Sequence, residues 1–240
     1  MRFSLRLNSM SCADHLKVSE KRKLARLRRD LVAWYTDNGR NFSWRRKSTS
    51  IYEKICVEVL LQRTRAETVE AIYFDFFQAY PNWESIVSAS IEQLEERLKP
   101  VGLWRRRARS LKGLATYAVE NDKRFPSDKV ELSKVPAVGQ YVANAILMFQ
   151  HGERRPLLDV NMARVVERIV RRRRLVDIRY DPWLQEASLF FVQSNNPEMV
   201  SWSILDFAAI TCKSRLPRCD DCCFRYRCKF NLEGRADCRD

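Results

Sequence analysis

The chain has 240 residues, 45% of them hydrophobic, enough to bury one or two cores, and only six Gly and eight Pro, which argues against extensive disorder. Its 44 Lys and Arg against 30 Asp and Glu give a formal net charge of +14, so a polyanion, nucleic acid by default, is the expected partner rather than a merely solvated basic surface. No apolar stretch approaches the ~20 residues of a membrane span, and no apolar run with a small-residue cleavage site opens the sequence; an intracellular chain is expected, placed in the cytoplasm and nucleoid or in a nucleus.

Residues 1–20 are polar and aperiodic, and a flexible N-terminus is expected there. From Lys21 to Tyr35 the apolar residues Leu24, Leu27, Leu31 and Trp34 recur at helical spacing. Residues 51–61 are apolar nearly all round, the pattern of a buried helix. Helical periods continue over about 65–79, 91–98, 105–120, 141–150, 162–172, 183–193 and 198–209, with no convincing strand between them. The fold class is all-α. Basic residues gather in three places: around the 101–107 turn (Arg97, Lys99, Arg105 to Arg107, Arg109, Lys112), after the 159–161 turn (Arg164, Arg168, Arg171 to Arg174), and from Lys213 to Lys229. Spread over helix ends and turns in this way, they are expected to converge on one phosphate backbone.

Six of the eight cysteines crowd into the last thirty residues, which points to a metal site rather than a secreted disulfide framework. Cys212, Cys219, Cys222 and Cys228 are spaced C-x6-C-x2-C-x5-C, and four thiolates in so short a loop can each reach a different iron of one cubane cluster. A tetrahedral zinc accepts the same ligands and is the alternative. Cys223 adjoins Cys222 and is a poor fifth ligand; it, Cys12, Cys56 and Cys238 read as ordinary thiols.

Upstream, Val135-Pro136-Ala137-Val138-Gly139-Gln140-Tyr141 links a short helix, capped by Asp128, to an amphipathic one. Helix, tight apolar turn with Gly, then helix is the helix-hairpin-helix pattern, whose backbone N–H groups at the second helix start grip a phosphate. Two carboxylates stand out as well. Glu58 lies in the most apolar run of the chain, where desolvation is expected to raise its pKa toward that of a general acid; a helix-edge Glu reaching solvent or an Arg is the plainer reading. Asp159 precedes the helix from Met162, a capping position near a positive helix end where it is expected to stay ionised.

"VEVLLQRT" around Glu58, the hairpin "VPAVGQYVANAIL", the segment "LLDVNMARVVER" and the cysteine set stand in the order seen in the helix-hairpin-helix (HhH-GPD) DNA glycosylase superfamily. The chain resembles that family over about residues 24–230, with Mig-type thymine-DNA mismatch glycosylases nearest and MutY adenine glycosylases second. Arg63 and Val160 look Mig-like, since MutY proteins usually carry Gln and Gly there. Tyr141 occupies the position where bifunctional members hold a Lys that attacks the sugar, chemistry a phenol cannot do. Ala137 departs from the Gly usual at the start of the hairpin.

The resemblance implies two helical domains with a DNA-binding groove between them: a six-helix barrel with the hairpin over 49–156, and a 4Fe-4S cluster domain from 21–48 plus 157–232, leaving a tail at 233–240. It implies a monofunctional base-excision enzyme and a monomer, acting on double-stranded DNA with a mismatched or damaged base. Glu58, Asp159, Tyr141 and Asn161 are the expected catalytic residues. Gln62, Arg63, Thr64, Trp104, Arg105, Val138, Gly139, Gln140, Lys213 and Arg215 are the expected DNA contacts, with Trp104 a candidate wedge or, equally, a packing residue. Thymine or uracil opposite guanine is the expected substrate. Adenine opposite guanine or 8-oxoguanine, an endonuclease III-like glycosylase/lyase, and a non-catalytic DNA-binding module are the alternatives.

Overall fold

A computed structural model describes residues 15–234. Cys12, Cys238, most of the 1–20 segment and most of the 233–240 tail lie outside them. The described residues form twelve α-helices and no strand: α1 (Val18–Asn38), α2 (Ile51–Leu61), α3 (Ala66–Ala79), α4 (Trp83–Ser88), α5 (Ile91–Leu98), α6 (Trp104–Glu120), α7 (Lys129–Lys134), α8 (Gln140–Phe149), α9 (Val160–Ile169), α10 (Pro182–Phe191), α11 (Pro197–Ile210) and α12 (Lys229–Leu232). None of these helices is long and apolar enough to cross a membrane. The chain divides into two compact units, one from the segments up to Gly39 and from Leu158 onward, the other from Arg40–Leu157.

In the continuous unit, α2 is central and packs against α3, α6 and α8. Its start is fixed by a capping box in which Ser50 Oγ accepts from Glu53 N–H at 3.1 Å while the Glu53 carboxylate accepts from Ser50 N–H at 2.8 Å. Ile55 to Leu60 are all buried, as the unbroken apolar run requires. Asn82 caps α4 and Ser90 caps α5, and both helices lie against α6. The six residues of α4 span less than two turns, too few for apolar periodicity to mark them. Residues 40–48, grouped with the N-terminal helix by the sequence reading, pack in this unit. Phe42 stacks on Trp44 at 4.5 Å, both rings are buried, and Ser43 Oγ donates to Glu70 Oε1 at 2.7 Å.

The discontinuous unit joins α1 to α9, α10 and α11 through Leu24, Leu27 and Leu31, which meet Trp183, Phe191 and Phe207 in one core. The first helix begins at Val18, three residues before Lys21, because Glu20 anchors it. Its carboxylate accepts from Lys17 N–H at 2.9 Å, Arg171 Nε at 2.9 Å and Trp183 Nε1 at 3.2 Å. Asp181 and Asn196 cap α10 and α11, each followed by a proline in the first turn, where a missing N–H costs nothing.

Candidate active site

Glu58 is only 2% exposed, among the buried side chains of α2. From α8, the Tyr141 hydroxyl donates to Glu58 Oε2 at 2.7 Å. The fold thus joins two expected catalytic residues that stand 83 positions apart, and rejects the plainer reading of Glu58 as a solvated helix-edge residue. Asn144 holds the same helix in place by donating from Nδ2 to Pro156 O at 3.0 Å.

Asp159 and Asn161 lie in the other unit. Asp159 is the N-cap of α9, and its Oδ1 accepts from Asn161 N–H and Met162 N–H, both at 2.8 Å. Asn161 Nδ2 donates to Asp159 Oδ2 at 2.5 Å, and Arg164 Nη2 donates to Asn161 Oδ1 at 3.1 Å. The helix end is not the main influence on the Asp159 carboxyl. Burial is the largest influence and pushes the Asp159 carboxyl above the usual range, against the pull of Met162 N–H, the Asn161 side chain and N–H, and Arg164.

Three turns in the continuous unit carry the other expected residues except Lys213 and Arg215, and each contains a non-glycine residue in the left-handed region: Arg63 (φ 60°), Leu103 (φ 59°) and Ala137 (φ 65°). Each costs about 1 kcal/mol or more, so the hairpin does use the conformation for which glycine is suited, with Ala137 in its place. Leu103, Trp104, Arg105, Arg106 and Arg109 line an open basin of about 770 Å³ together with Pro136 and Ala137. The basic 101–107 turn and the hairpin turn therefore share one surface. Gly113 of α6 allows this approach, since a Cβ there would meet Pro136 Cβ at 3.1 Å.

Trp104 is half-buried under the Arg105 guanidinium, whose carbon lies 4.1 Å from the ring centre. Leu103, which the sequence reading missed, is 52% exposed at the tip of this turn. Gly139 and Gln140 are exposed at the start of α8. The Val138 side chain is buried and its N–H donates to Val135 O at 3.2 Å, so it packs beneath the turn. Thr64 is half-buried, its buried hydroxyl oxygen has no hydrogen-bond partner among the described residues, and its N–H closes the turn on Leu61 O at 3.1 Å.

Cys212, Cys219, Cys222 and Cys228 line one small cavity of about 20 Å³, walled by Phe207, Phe224 and Phe230. Cys223 is exposed and outside it. Among the described residues no group of three or more His, Cys, Asp or Glu side chains is arranged to hold a single metal ion. Burial pushes the Cys212 and Cys228 thiols up. Arg168 Nη1 donates to Cys212 Sγ at 3.4 Å and to Lys213 O at 2.7 Å. Arg164 reaches Cys212 O at 2.9 Å and Ala208 O at 3.1 Å.

These bonds change the reading of the second basic group, which the sequence assigns wholly to phosphate. Arg164 and Arg168 tie down the start of the cysteine loop, Arg171 is paired with Glu20, and Arg173 Nη1 donates to Glu167 Oε2 at 2.7 Å. In the cysteine loop Lys213 is half-buried and Arg215 is exposed.

Residues 56–175 match the family model described as HhH-GPD superfamily base excision DNA repair protein. The thymine-DNA glycosylase of Aeropyrum pernix is 30% identical over 209 residues, covering 85% of this chain and 93% of that protein. The thymine/uracil-DNA glycosylase of Pyrobaculum aerophilum is 30% identical over 80% of this chain and 85% of its own. Among solved structures, a thermostable thymine-DNA glycosylase superposes with a TM-score of 0.78 at 25% identity, over 90% of this chain and 99% of that one. The helical architecture is thus that of a DNA repair enzyme. The chain belongs to the HhH-GPD superfamily of base excision DNA repair proteins.

Proposed function

We propose that the chain is a monofunctional DNA glycosylase that hydrolyses the N-glycosidic bond of a flipped, mispaired base, thymine or uracil opposite guanine. The observation that carries this reading is the buried Glu58 carboxyl held by the Tyr141 hydroxyl, at the position where a strand-cleaving member would place an amine. Relatives named for thymine and uracil supply the base.

In the proposed reaction the target nucleotide leaves the duplex, which costs least for a mispaired base. Glu58 in its acid form donates a proton to the leaving base while the C1′–N bond breaks and its electron pair departs with the base. Water adds to C1′ and its proton returns to the Glu58 carboxylate. Asp159, ionised and fixed by three donors, stabilises the positive charge on the sugar, and Asn161 holds that carboxylate in place. Tyr141 fixes the Oε2 edge of Glu58 and offers no amine for a Schiff base.

On the surface, the exposed Leu103 takes the wedge role in place of Trp104, and Gln62, Arg63 and Arg105 meet the bases and backbone around the gap. Thr64 and Val138 support their turns. The exposed Gly139 and Gln140 at the start of α8 offer the phosphate-binding helix end, and Lys213 and Arg215 reach backbone from the cysteine loop. The enzyme acts as a monomer, inside the cell, on its chromosomal DNA.

The four cysteines fit a 4Fe-4S cluster better than a single zinc. All four reach one aromatic-walled cavity, and buried thiolates there need a cationic centre to offset their desolvation. Such a cluster would supply a rigid cross-link between the four cysteines, and Arg168, which donates to the Cys212 sulfur and to Lys213 O, holds the loop that carries Lys213 and Arg215. Anaerobically purified protein is expected to be brown and to contain iron, and Cys219→Ser to lose both the iron and much of the DNA affinity. Zinc without iron would contradict the assignment.

The function itself is tested by product analysis on a uracil–guanine duplex. Free base with an intact strand, nicked only by added alkali and not trapped by borohydride, is the expected result. Nicking with efficient trapping would reassign the chain as a lyase. Failure to release any base from mismatched, uracil-containing or oxidised duplexes would leave a non-catalytic DNA-binding module.

A further inference from the structure

Arg107 lies on α6 and is 3% exposed. No carboxylate among the described residues pairs with it, and the charges that bear on it are those of Arg106 and Arg63; burial and these like charges push its pKa down. Its Nη1 donates to Gln62 Oε1 at 3.3 Å, while its Nε is buried with no hydrogen-bond partner among the described residues. A cation buried beside like charges is destabilising, and an apolar side chain would fill the same space without that cost.

What the guanidinium does, and an apolar chain cannot, is orient Gln62. A guanidinium has donors only, so the atom facing it must be the amide oxygen, and the amide NH2 points away. Gln62 is half-buried at the end of α2, immediately before the left-handed Arg63. An unrestrained glutamine amide matches adenine, accepting from the N6 amino group and donating to N7. With its oxygen turned toward Arg107, the amide presents its two N–H donors, and not its oxygen, away from the guanidinium. Guanine O6 and N7 are both acceptors and match that set, whereas the adenine amino group does not.

We infer that Arg107 is a positioning residue that sets opposite-base specificity, by holding the Gln62 carbonyl so that only the amide donors face the base left behind. This rests on the reading above in which Gln62 meets the bases around the gap, here the base left behind. It is tested by binding rather than by catalysis, so that the two can fail separately. Fluorescence anisotropy is measured on duplexes carrying a tetrahydrofuran abasic analogue opposite each of the four bases.

The wild type is expected to bind the guanine-opposed analogue about tenfold more tightly than the adenine-opposed one. Arg107→Met and Gln62→Glu should each shrink that ratio to within about twofold, the double variant adding nothing further, and Arg107→Lys should restore part of it. Gln62→Glu should also raise Tm, because its carboxylate neutralises the buried cation, and the gain should vanish when Arg107→Met is added. A packing role alone would move neither the base ratio nor this coupled Tm. If Arg107→Met does not fold, Gln62→Glu decides: unchanged preference and unchanged Tm would overturn the inference.

Retained guanine preference in folded Arg107→Met, or additive single effects, would overturn it as well. So would a wild type that releases base yet binds all four duplexes alike, a result that leaves the glycosylase reading intact. An Arg107-dependent guanine preference in a protein that releases no base would instead sink the catalytic reading and uphold the inference.

Discussion

Glu58→Gln is expected to bind mispaired duplexes as the wild type does and to release base about 100-fold or more slowly, the range for a lost general acid. The substitution is nearly isosteric. A glutamine oxygen can still accept from the Tyr141 hydroxyl now 2.7 Å away, so the α2–α8 contact survives, but an amide has no proton to give the leaving base. Tyr141→Phe removes the hydrogen bond and keeps the acid, so its effect on the rate should be smaller than that of Glu58→Gln. Single-turnover excision at saturating enzyme separates the chemistry from binding. Wild-type rates for Glu58→Gln would remove Glu58 from the mechanism.

Asp159→Asn is expected to slow the same step by about 100-fold or more, for a different reason: a fixed negative charge is lost beside a developing cation. Because burial raises the Asp159 pKa, the folded protein holds this proton more tightly than the unfolded chain does. Stability from the protonated acid is therefore present at low pH and lost as pH rises through the raised value, so the ionised carboxylate works against folding at neutral pH. Activity has the opposite sign, since catalysis needs the charge: its acid limb should lie above the ordinary carboxyl range and disappear in Asp159→Asn. Asparagine caps helices as well as aspartate does, so the Tm of the variant at neutral pH should match or exceed that of the wild type. A large fall in Tm with an unchanged pH profile would make Asp159 a structural cap only.

The two carboxylates were legible because each sits against a local pattern: Glu58 breaks an otherwise apolar helix, and Asp159 stands where a helix must begin. The four-cysteine set was legible from spacing alone, and the structure lines one cavity with it. Arg164 and Arg168 were misread for want of tertiary information. Their carbonyl partners lie 44 to 48 residues away in a loop whose path no local pattern encodes. Leu103 was missed because nothing in the sequence marks a leucine that will adopt a positive φ and stay exposed. Val138 looked like part of a phosphate-gripping turn, but the turn packs its side chain inward, as it does that of Val135. Arg107 was hidden in a run of three arginines, and only burial distinguishes it from Arg105 and Arg106.

The substrate is the centre of the account, and parallel single-turnover excision from thymine–guanine, uracil–guanine, adenine–guanine and adenine–8-oxoguanine duplexes tests it most directly. A wobble pair opens more easily than a matched one, which helps any base-flipping enzyme without naming the base. Discrimination must come from polar groups left unpaired by the wrong base. Release of thymine and uracil opposite guanine ahead of adenine in either context is the result expected; adenine leaving at least as fast as the pyrimidines would contradict it.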